Sequence, residues 1–235
     1  MTSYSLGIEE LDNIIGEIRE GSNLMVIGPP MSGKEDVAYH ILKNGLKRQE
    51  SSVIVSTREP GEHVLEWFTS FDKTIPVSNI GIVDCVTKTL GMAADDTENI
   101  KRASSPVDLT GIGVRISQFF EQFWMKRQIS HNILCINSVS TILMYSNIQT
   151  VFRFMHVFTG RIKAIKGLGL FVLEDQMHDS RTIATLKQLY DGMIEVQEEN
   201  GSHYLRAVGI SSKPTPWFEY LVEDGSISIQ GIKED

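Results

Sequence analysis

Short apolar segments alternate with amphipathic stretches along most of the chain. The apolar segments have the length of single strands and lie at residues 23–27, 52–56, 80–84, 132–136 and 168–173. Between and after them, apolar side chains recur at helical spacing over about 34–47, 62–71, 108–127, 148–166 and 183–189. Strands that alternate with helices in this way predict an α/β fold with a mainly parallel central sheet flanked by helices.

The pattern changes near the C-terminal end. Short strand-like segments follow one another there, joined by turn signals such as Glu-Asn-Gly at 199–201, and they lie at 192–197, 204–210, 217–222 and 227–230. They predict antiparallel strands that extend the sheet. Residues 87–106 mix charged, glycine and serine positions and predict a long surface loop. Because no repeat or linker interrupts the pattern, we expect residues 1–235 to form one domain.

Composition and charge narrow the class of protein. The chain has 235 residues and a formal net charge of −8, which disfavours non-specific binding to a nucleic-acid backbone. No segment approaches the roughly 18 apolar residues of a membrane span, and the first residues lack the basic and apolar regions of a signal peptide. Cys85 and Cys135 lie far apart among apolar neighbours, which favours buried free thiols over a disulfide. We therefore expect a soluble, cytoplasmic protein.

One motif carries chemistry. Residues 28–34 read Gly-Pro-Pro-Met-Ser-Gly-Lys, directly after a predicted strand and at the start of a predicted helix. This is the G-x-x-x-x-G-K pattern of a phosphate-binding loop in its proper context, rather than a turn with an exposed lysine. The main-chain amides over 29–34 are expected to form a cup around an anion, and Lys34 to reach the β- and γ-phosphates. The predicted nucleotide-binding residues are Gly28, Pro29, Pro30, Met31, Ser32, Gly33, Lys34, Glu35 and Asp36.

Two positions depart from the usual magnesium ligands of such a site. Glu35 stands where the pattern has Ser or Thr, and Asn137 follows the fourth strand where the Walker-B pattern has Asp. Two interpretations of Glu35 stay open: its carboxylate is a ligand of Mg²⁺, or it is a solvated acid favoured by the helix dipole. If Glu35 and Asn137 hold the metal together, one carboxylate has moved from the strand end to the loop, and the total charge around the cation is unchanged.

Several further stretches carry a resemblance to a known family. They are residues 5–12, 21–28, 53–59, 134–139, 190–195 and 211–216. With the loop motif, they resemble the ATPase domains of KaiC and of RadA/RecA-like proteins, in the P-loop NTPase superfamily, over nearly the whole chain. The resemblance implies a RecA-like three-layer sandwich in which one strand separates the loop strand from the Walker-B strand.

The resemblance also implies a ligand and residue roles. ATP is the implied ligand, bound near the boundaries between copies of the chain in a ring or filament. Glu59 takes the place of the glutamate that polarises the attacking water, next to Arg58, which replaces a second acid. Lys34 then stabilises charge on the γ-phosphate. In the family, a lysine and an arginine two residues apart contact the γ-phosphate bound at the neighbouring copy. Lys213 stands in place of that arginine, and Ser211 stands in place of that lysine. A structural interpretation of both residues stays open: Glu59 is an acid that precedes a helix, and Lys213 is an exposed lysine in a turn.

These observations favour nucleotide binding over fast hydrolysis. Binding uses the loop amides and Lys34, whereas the metal-holding positions have changed. The sequence predicts a nucleotide-responsive regulatory or assembly ATPase with weak hydrolysis, whose partner is another copy of the chain or a different protein. One alternative is an interaction module that keeps the fold without binding or turning over nucleotide. Another is a RadA-like role in DNA recombination and repair, which the acidic net charge disfavours.

Overall fold

The computed structural model describes residues 3–233. The strands are β1 (Ser3–Tyr4), β2 (Ile18–Arg19), β3 (Asn23–Gly28), β4 (Ser51–Ser56), β5 (Ile80–Asp84), β6 (Ile100–Arg102), β7 (Asn132–Asn137), β8 (Leu168–Glu174), β9 (Gly192–Glu199), β10 (Ser202–Val208), β11 (Phe218–Glu223) and β12 (Ser226–Ile232). The α-helices are α1 (Glu9–Ile15), α2 (Lys34–Lys47), α3 (Gly61–Phe71), α4 (Leu109–Phe120), α5 (Val139–Tyr145), α6 (Ile148–Ala164) and α7 (Ser180–Lys187). The predicted domain of residues 1–235 also includes Met1, Thr2, Glu234 and Asp235, which lie outside the described residues.

The large sheet joins a parallel part to an antiparallel part. Its strand order is β12-β11-β10-β9-β3-β8-β7-β4-β5-β6, and β1 pairs separately with β2. The strands from β9 to β6 pair in parallel, whereas β9, β10, β11 and β12 pair antiparallel. The predicted parallel sheet with an antiparallel C-terminal extension is therefore confirmed. Strand β8 lies between β3 and β7, as the resemblance implied.

Helices cover both faces of the sheet. Helices α1, α2 and α3 pack on one face, and α4, α5, α6 and α7 on the other. Successive side chains of β7 alternate between the two cores: Ile133 faces the first and Leu134 the second. Because both faces are covered, the central strands are apolar at almost every position, which is why the sequence shows them as continuous apolar runs.

The strand register brings four carboxyl ends to one edge of the sheet. Gly28, the last residue of β3, pairs with Glu174, the last residue of β8. Ser56 at the end of β4 likewise pairs with Asn137 at the end of β7. Side chains that follow these strands therefore converge, although they are far apart in sequence.

Some elements differ from the sequence prediction. The predicted loop at 87–106 contains the three-residue strand β6, which pairs with β5 at the edge of the sheet. Helix α5 was not predicted; the Ser138 hydroxyl caps it by accepting a hydrogen bond from the N–H of Thr141. The predicted helix at 108–127 is α-helical only to Phe120 and continues as a π-helical turn, Glu121–Lys126.

The cysteines and the hydropathy of the helices can be compared with what the composition predicted. Both cysteines, Cys85 and Cys135, are buried free thiols, as predicted. No helix within residues 3–233 combines the length and the hydropathy that a membrane crossing requires.

Candidate functional site

The loop between β3 and α2 has the backbone shape that its glycines permit. Gly28 ends β3, and Lys34 begins α2. Gly33 has φ 82°, in the left-handed region that favours glycine. A Cβ on Gly28 would lie 2.3 Å from the carbonyl oxygen of Val196, so no larger residue fits there without a backbone shift. The chain therefore turns sharply from strand to helix at this point.

Backbone N–H groups near the helix start are available to an anion. Pro29 and Pro30 have no N–H, so the predicted cup of amides over 29–34 is wrong for its first two positions. The N–H groups of residues 34–36 open α2 and have no carbonyl partner within the helix. The donors that the loop offers thus begin at Met31, and of these the N–H of Ser32 already donates to the Pro29 carbonyl at 3.3 Å.

The ammonium of Lys34 is the most buried charge of the site. Its side chain is 0% exposed, and its Nζ donates to the Pro29 carbonyl at 3.1 Å. Two carboxylates flank it, Glu35 at 3.3 Å and Glu174 at 3.6 Å. Arg58 contacts the same two carboxylates, at 2.7 Å and 3.1 Å. Two cations and two anions therefore form a closed network under the loop.

Glu35 points into this network. Its side chain is only 26% exposed and lies between Lys34 and Arg58. It is therefore not an acid turned outwards into solvent, which was one of the two interpretations of its position. Its role as a metal ligand stays a prediction.

Asn137 occupies the end of β7 beside α2. Its Nδ2 donates to the hydroxyl of Tyr39 at 3.1 Å, while its Oδ1 is buried and has no hydrogen-bond partner among residues 3–233. Burial raises the pKa of Tyr39, so this hydroxyl stays protonated. Asn137 shares a cavity of about 290 Å³ with Glu35; the full lining is Met31, Glu35, Asp36, Tyr39, Arg58, Glu59, Trp67 and Asn137.

The oxygen atoms of this cavity fit a magnesium ion only in part. Glu35 offers a carboxylate and Asn137 an unpartnered carbonyl oxygen, which are ligand types that Mg²⁺ takes. Among residues 3–233, no cluster of three or more His, Cys, Asp or Glu side chains is arranged to hold a metal. Since Mg²⁺ often binds through one or two protein ligands together with substrate phosphates, the arrangement suits a cation that arrives with a polyphosphate.

Two residues that the resemblance singled out lie apart from the Lys34 network. Glu59 is exposed at the rim of the cavity, and its carboxylate makes no ion pair within the described chain. Lys213 lies in the exposed loop between β10 and β11, where its carbonyl accepts a hydrogen bond from the Ser211 hydroxyl. Neither contacts Lys34 in the described part of the chain. Their roles in water activation and in contact with a neighbouring copy stay predictions.

The antiparallel extension contacts the loop directly, which the sequence did not indicate. The carbonyl oxygen of Ser32 lies 3.2 Å from Nδ1 of His203 and accepts a hydrogen bond from the Tyr220 hydroxyl at 3.3 Å. Asp36, on the first turn of α2, lies near this contact. Burial, and then the negative charge of Glu35, raise the pKa of Asp36.

Sequence reasoning missed Glu174 as a member of the site. The one signal for it was an acid at the end of an otherwise apolar strand, where a parallel sheet collects functional groups. Arg58 was noted only as the replacement of an acid, because nothing in the sequence showed that its side chain reaches Glu35 and Glu174.

Comparison with known proteins places these residues in a family. The model of DUF7504, described as a family of unknown function, matches residues 21–196. The chain belongs to this family. The matched part of the DUF7504 chain contains the loop, Lys34, Arg58, Asn137 and Glu174. No curated protein matches the chain.

Solved structures resemble the DUF7504 chain over its whole length. One is the crystal structure of uncharacterized protein PH0321 from Pyrococcus horikoshii in complex with an unknown peptide, with TM-score 0.73, 19% identity, and coverage of 98% of this chain and 100% of that one. Another is KaiC-like protein PH0186 from Pyrococcus horikoshii OT3, with TM-score 0.72, 16% identity, and coverage of 97% and 98%. At these identities the likeness concerns the fold. The predicted KaiC-like RecA fold is confirmed.

Proposed function

We propose that this DUF7504 protein binds ATP together with Mg²⁺ at the loop of residues 28–33. The observation that carries the proposal is the position of Lys34. Its ammonium is fully buried beneath a glycine loop, at the first residue of a helix that directly follows a strand. A buried lysine at a helix N-terminus, in a fold shared with a KaiC-like protein, is the arrangement that phosphate-binding loops use.

The proposal assigns a role to each group. The backbone N–H groups from Met31 onwards and the ammonium of Lys34 bind the phosphates. The carboxylate of Glu35 and the free Oδ1 of Asn137 hold the cation, which neutralises phosphate charge when bound. Glu59, at the rim of the same cavity, orients the attacking water.

Hydrolysis is slow under this proposal. Asn137 gives the cation a neutral oxygen where the Walker-B pattern has a carboxylate, and no ion pair within the described residues holds Glu59 in place. Loss of one well-placed group in such a site costs about 2.7–4 kcal/mol of transition-state stabilisation, or roughly a hundredfold to a thousandfold in rate. A protein that binds ATP and hydrolyses it slowly suits regulation or assembly with another copy or a protein partner.

A second candidate is an interaction module that does not bind nucleotide. Two observations favour it: Glu35 and Glu174 already neutralise Lys34, and the similar protein PH0321 was crystallised with a peptide. A role in DNA recombination is less favoured, because the net charge of −8 opposes binding to a phosphate backbone.

Thermal unfolding with ATP, with and without Mg²⁺, separates the two candidates. Ligand at 100 times its Kd stabilises a folded protein by about 2.7 kcal/mol, which gives a measurable rise in Tm. We expect the rise for the natural chain and for Lys187→Gln, an exposed lysine at the end of α7. Lys34→Gln should abolish it. If ATP does not raise the Tm of the natural chain, the interaction module is the candidate function that remains.

Glu35→Ser tests the proposed cation site. The variant restores the residue type of the usual motif, so the Mg²⁺ concentration needed for tight ATP binding should change. ATP binding that is independent of Mg²⁺ and unaffected by this substitution would show that Glu35 does not hold the metal.

A further inference from the structure

Two single oxygen atoms bridge the cations of the site. Oε1 of Glu35 lies 3.3 Å from Nζ of Lys34 and 2.7 Å from Nη1 of Arg58. Oε1 of Glu174 lies 3.6 Å and 3.1 Å from the same two nitrogens. The guanidinium of Arg58 is therefore only one bridging oxygen away from the lysine of the loop.

Arg58 reaches this place from a distant strand. It follows β4, which is separated from the loop strand β3 by both β7 and β8. Its side chain is 48% exposed, whereas that of Lys34 is fully buried. Arg58 thus lies on the solvent side of Lys34, where it lines the cavity beside Met31 and Glu35.

Most of the hydrogen-bonding capacity of Arg58 is unused. Both contacts with carboxylates go through Nη1. Nε and Nη2 of Arg58 have no hydrogen-bond partner in the described part of the chain. A guanidinium presents its donors in a planar fork that matches the oxygen atoms of a phosphate. Nε and Nη2 of Arg58 can therefore donate hydrogen bonds to a phosphate while Nη1 keeps its contacts with the two carboxylates.

We propose that Arg58 is a phosphate-binding arginine supplied by this chain itself, which binds the terminal phosphate of a nucleoside triphosphate and makes the site prefer triphosphate over diphosphate. The inference rests on the proposed function. A phosphate held by Lys34 lies within reach of Arg58, because one bridging oxygen already spans the two cations. A diphosphate lacks the terminal group and gains nothing from Arg58.

The same geometry predicts an opposing role for Glu174. Its side chain is 9% exposed, and it contacts both cations. When a terminal phosphate binds these cations, Glu174 becomes a nearby negative charge that repels it. Glu174 therefore weakens triphosphate binding, and neutralising it should strengthen that binding.

The test is calorimetric titration with ADP and with the non-hydrolysable triphosphate AMP-PNP, both with Mg²⁺. For Arg58→Gln we expect the affinity for AMP-PNP to fall at least about tenfold, because a hydrogen bond to a charged group contributes roughly a tenfold gain in affinity. The affinity for ADP should change less than about twofold. Glu174→Gln should bind AMP-PNP more tightly. Arg153→Gln, at an exposed arginine of α6, is the matched control and should bind as the natural chain does.

The outcomes separate this inference from the proposed function. One outcome is that the natural chain binds both nucleotides while Arg58→Gln weakens the binding of both equally or leaves both unchanged. In that case the inference is wrong and the proposed function stands. If the natural chain binds neither nucleotide, both fail. Arg58→Lys distinguishes charge from shape: it should recover only part of the lost AMP-PNP affinity, because a lysine presents no planar fork. Full recovery would show that Arg58 acts as a simple charge.

Discussion

The side-chain amide of Asn137 donates a hydrogen bond to the hydroxyl of Tyr39 at 3.1 Å, which ties the end of β7 to the second turn of α2. Both side chains are buried. The bond fixes the amide at the carboxyl end of β7, where we propose that its Oδ1 holds the cation.

Tyr39→Phe should therefore destabilise the protein. It leaves the Nδ2 of Asn137 without its partner in a buried position, which costs about 1–3 kcal/mol. Urea unfolding measures the loss. Tyr145→Phe removes a hydroxyl from a side chain that is 67% exposed and should change stability little. Equal effects of the two substitutions would contradict the prediction.

Gly33→Ala should destabilise the loop. Gly33 has φ 82°, where an L-residue is strained by roughly 1–2 kcal/mol, and the added Cβ would lie 2.7 Å from the Tyr220 hydroxyl. Gly160→Ala is the control, because Gly160 lies within α6 and does not have a left-handed φ. Apart from the adjacent backbone of the helix itself, no atom of the described residues lies within 4 Å of the added Cβ. Alanine should stabilise that helix by roughly 0.5–1 kcal/mol. Thermal unfolding of the pair should give shifts of opposite sign.

His40 should make stability depend on pH. Burial lowers the pKa of His40; its hydrogen bond with the Gly7 carbonyl opposes this effect, and the positive charges of Lys43 and Lys47 lower the pKa further. Its Nδ1 accepts a hydrogen bond from the N–H of Ile227, which requires an unprotonated nitrogen. The unfolded chain therefore takes up a proton first, near its ordinary pKa of about 6.5.

This order of protonation determines in which direction the free energy of unfolding changes with pH. The contribution of His40 to the free energy of unfolding should be constant above about pH 7.5 and fall as the pH drops below about 6.5 towards the lowered folded pKa. His40→Gln should be less stable at high pH and should lose less stability on acidification. His63→Gln, at an exposed histidine of α3, should keep the pH dependence of the natural chain. Urea midpoints at a series of pH values give the comparison.

The two thiols should be unreactive in the folded protein. Burial raises the pKa of Cys85, and raises the pKa of Cys135 to about 12, so little thiolate forms near neutral pH. Ellman's reagent should titrate neither cysteine in buffer and both in guanidinium chloride. Rapid reaction of one thiol in the folded protein would mean that the backbone around it opens to solvent.

Sequence patterns were sufficient for most of the fold because the central sheet is covered on both faces. Buried parallel strands such as β7 and β8 are apolar at almost every position, which makes them visible as runs. Elements without that signature were missed. Helix α5 is short and depends on its Ser138 cap, and β6 is a three-residue edge strand.

The candidate site was predictable only where a motif or the family resemblance points to its residues. The loop and Lys34 form one continuous motif, and this segment lies between a strand and a helix, as predicted. Glu174 and Arg58 carry no motif of their own. They join the site because parallel strands bring their carboxyl ends to one edge, a relationship between residues that are 116 positions apart.

The amino-acid sequence by itself determined the alternation of strands and helices, the tight turn at Gly28 and Gly33, and the presence of a lysine at the start of α2. These features depend on local backbone geometry and on which side chains avoid water. The tertiary structure alone decided that Arg58, Glu35 and Glu174 surround that lysine. Strand order and register set those distances, and charge pairing between distant residues leaves no periodic trace along the chain.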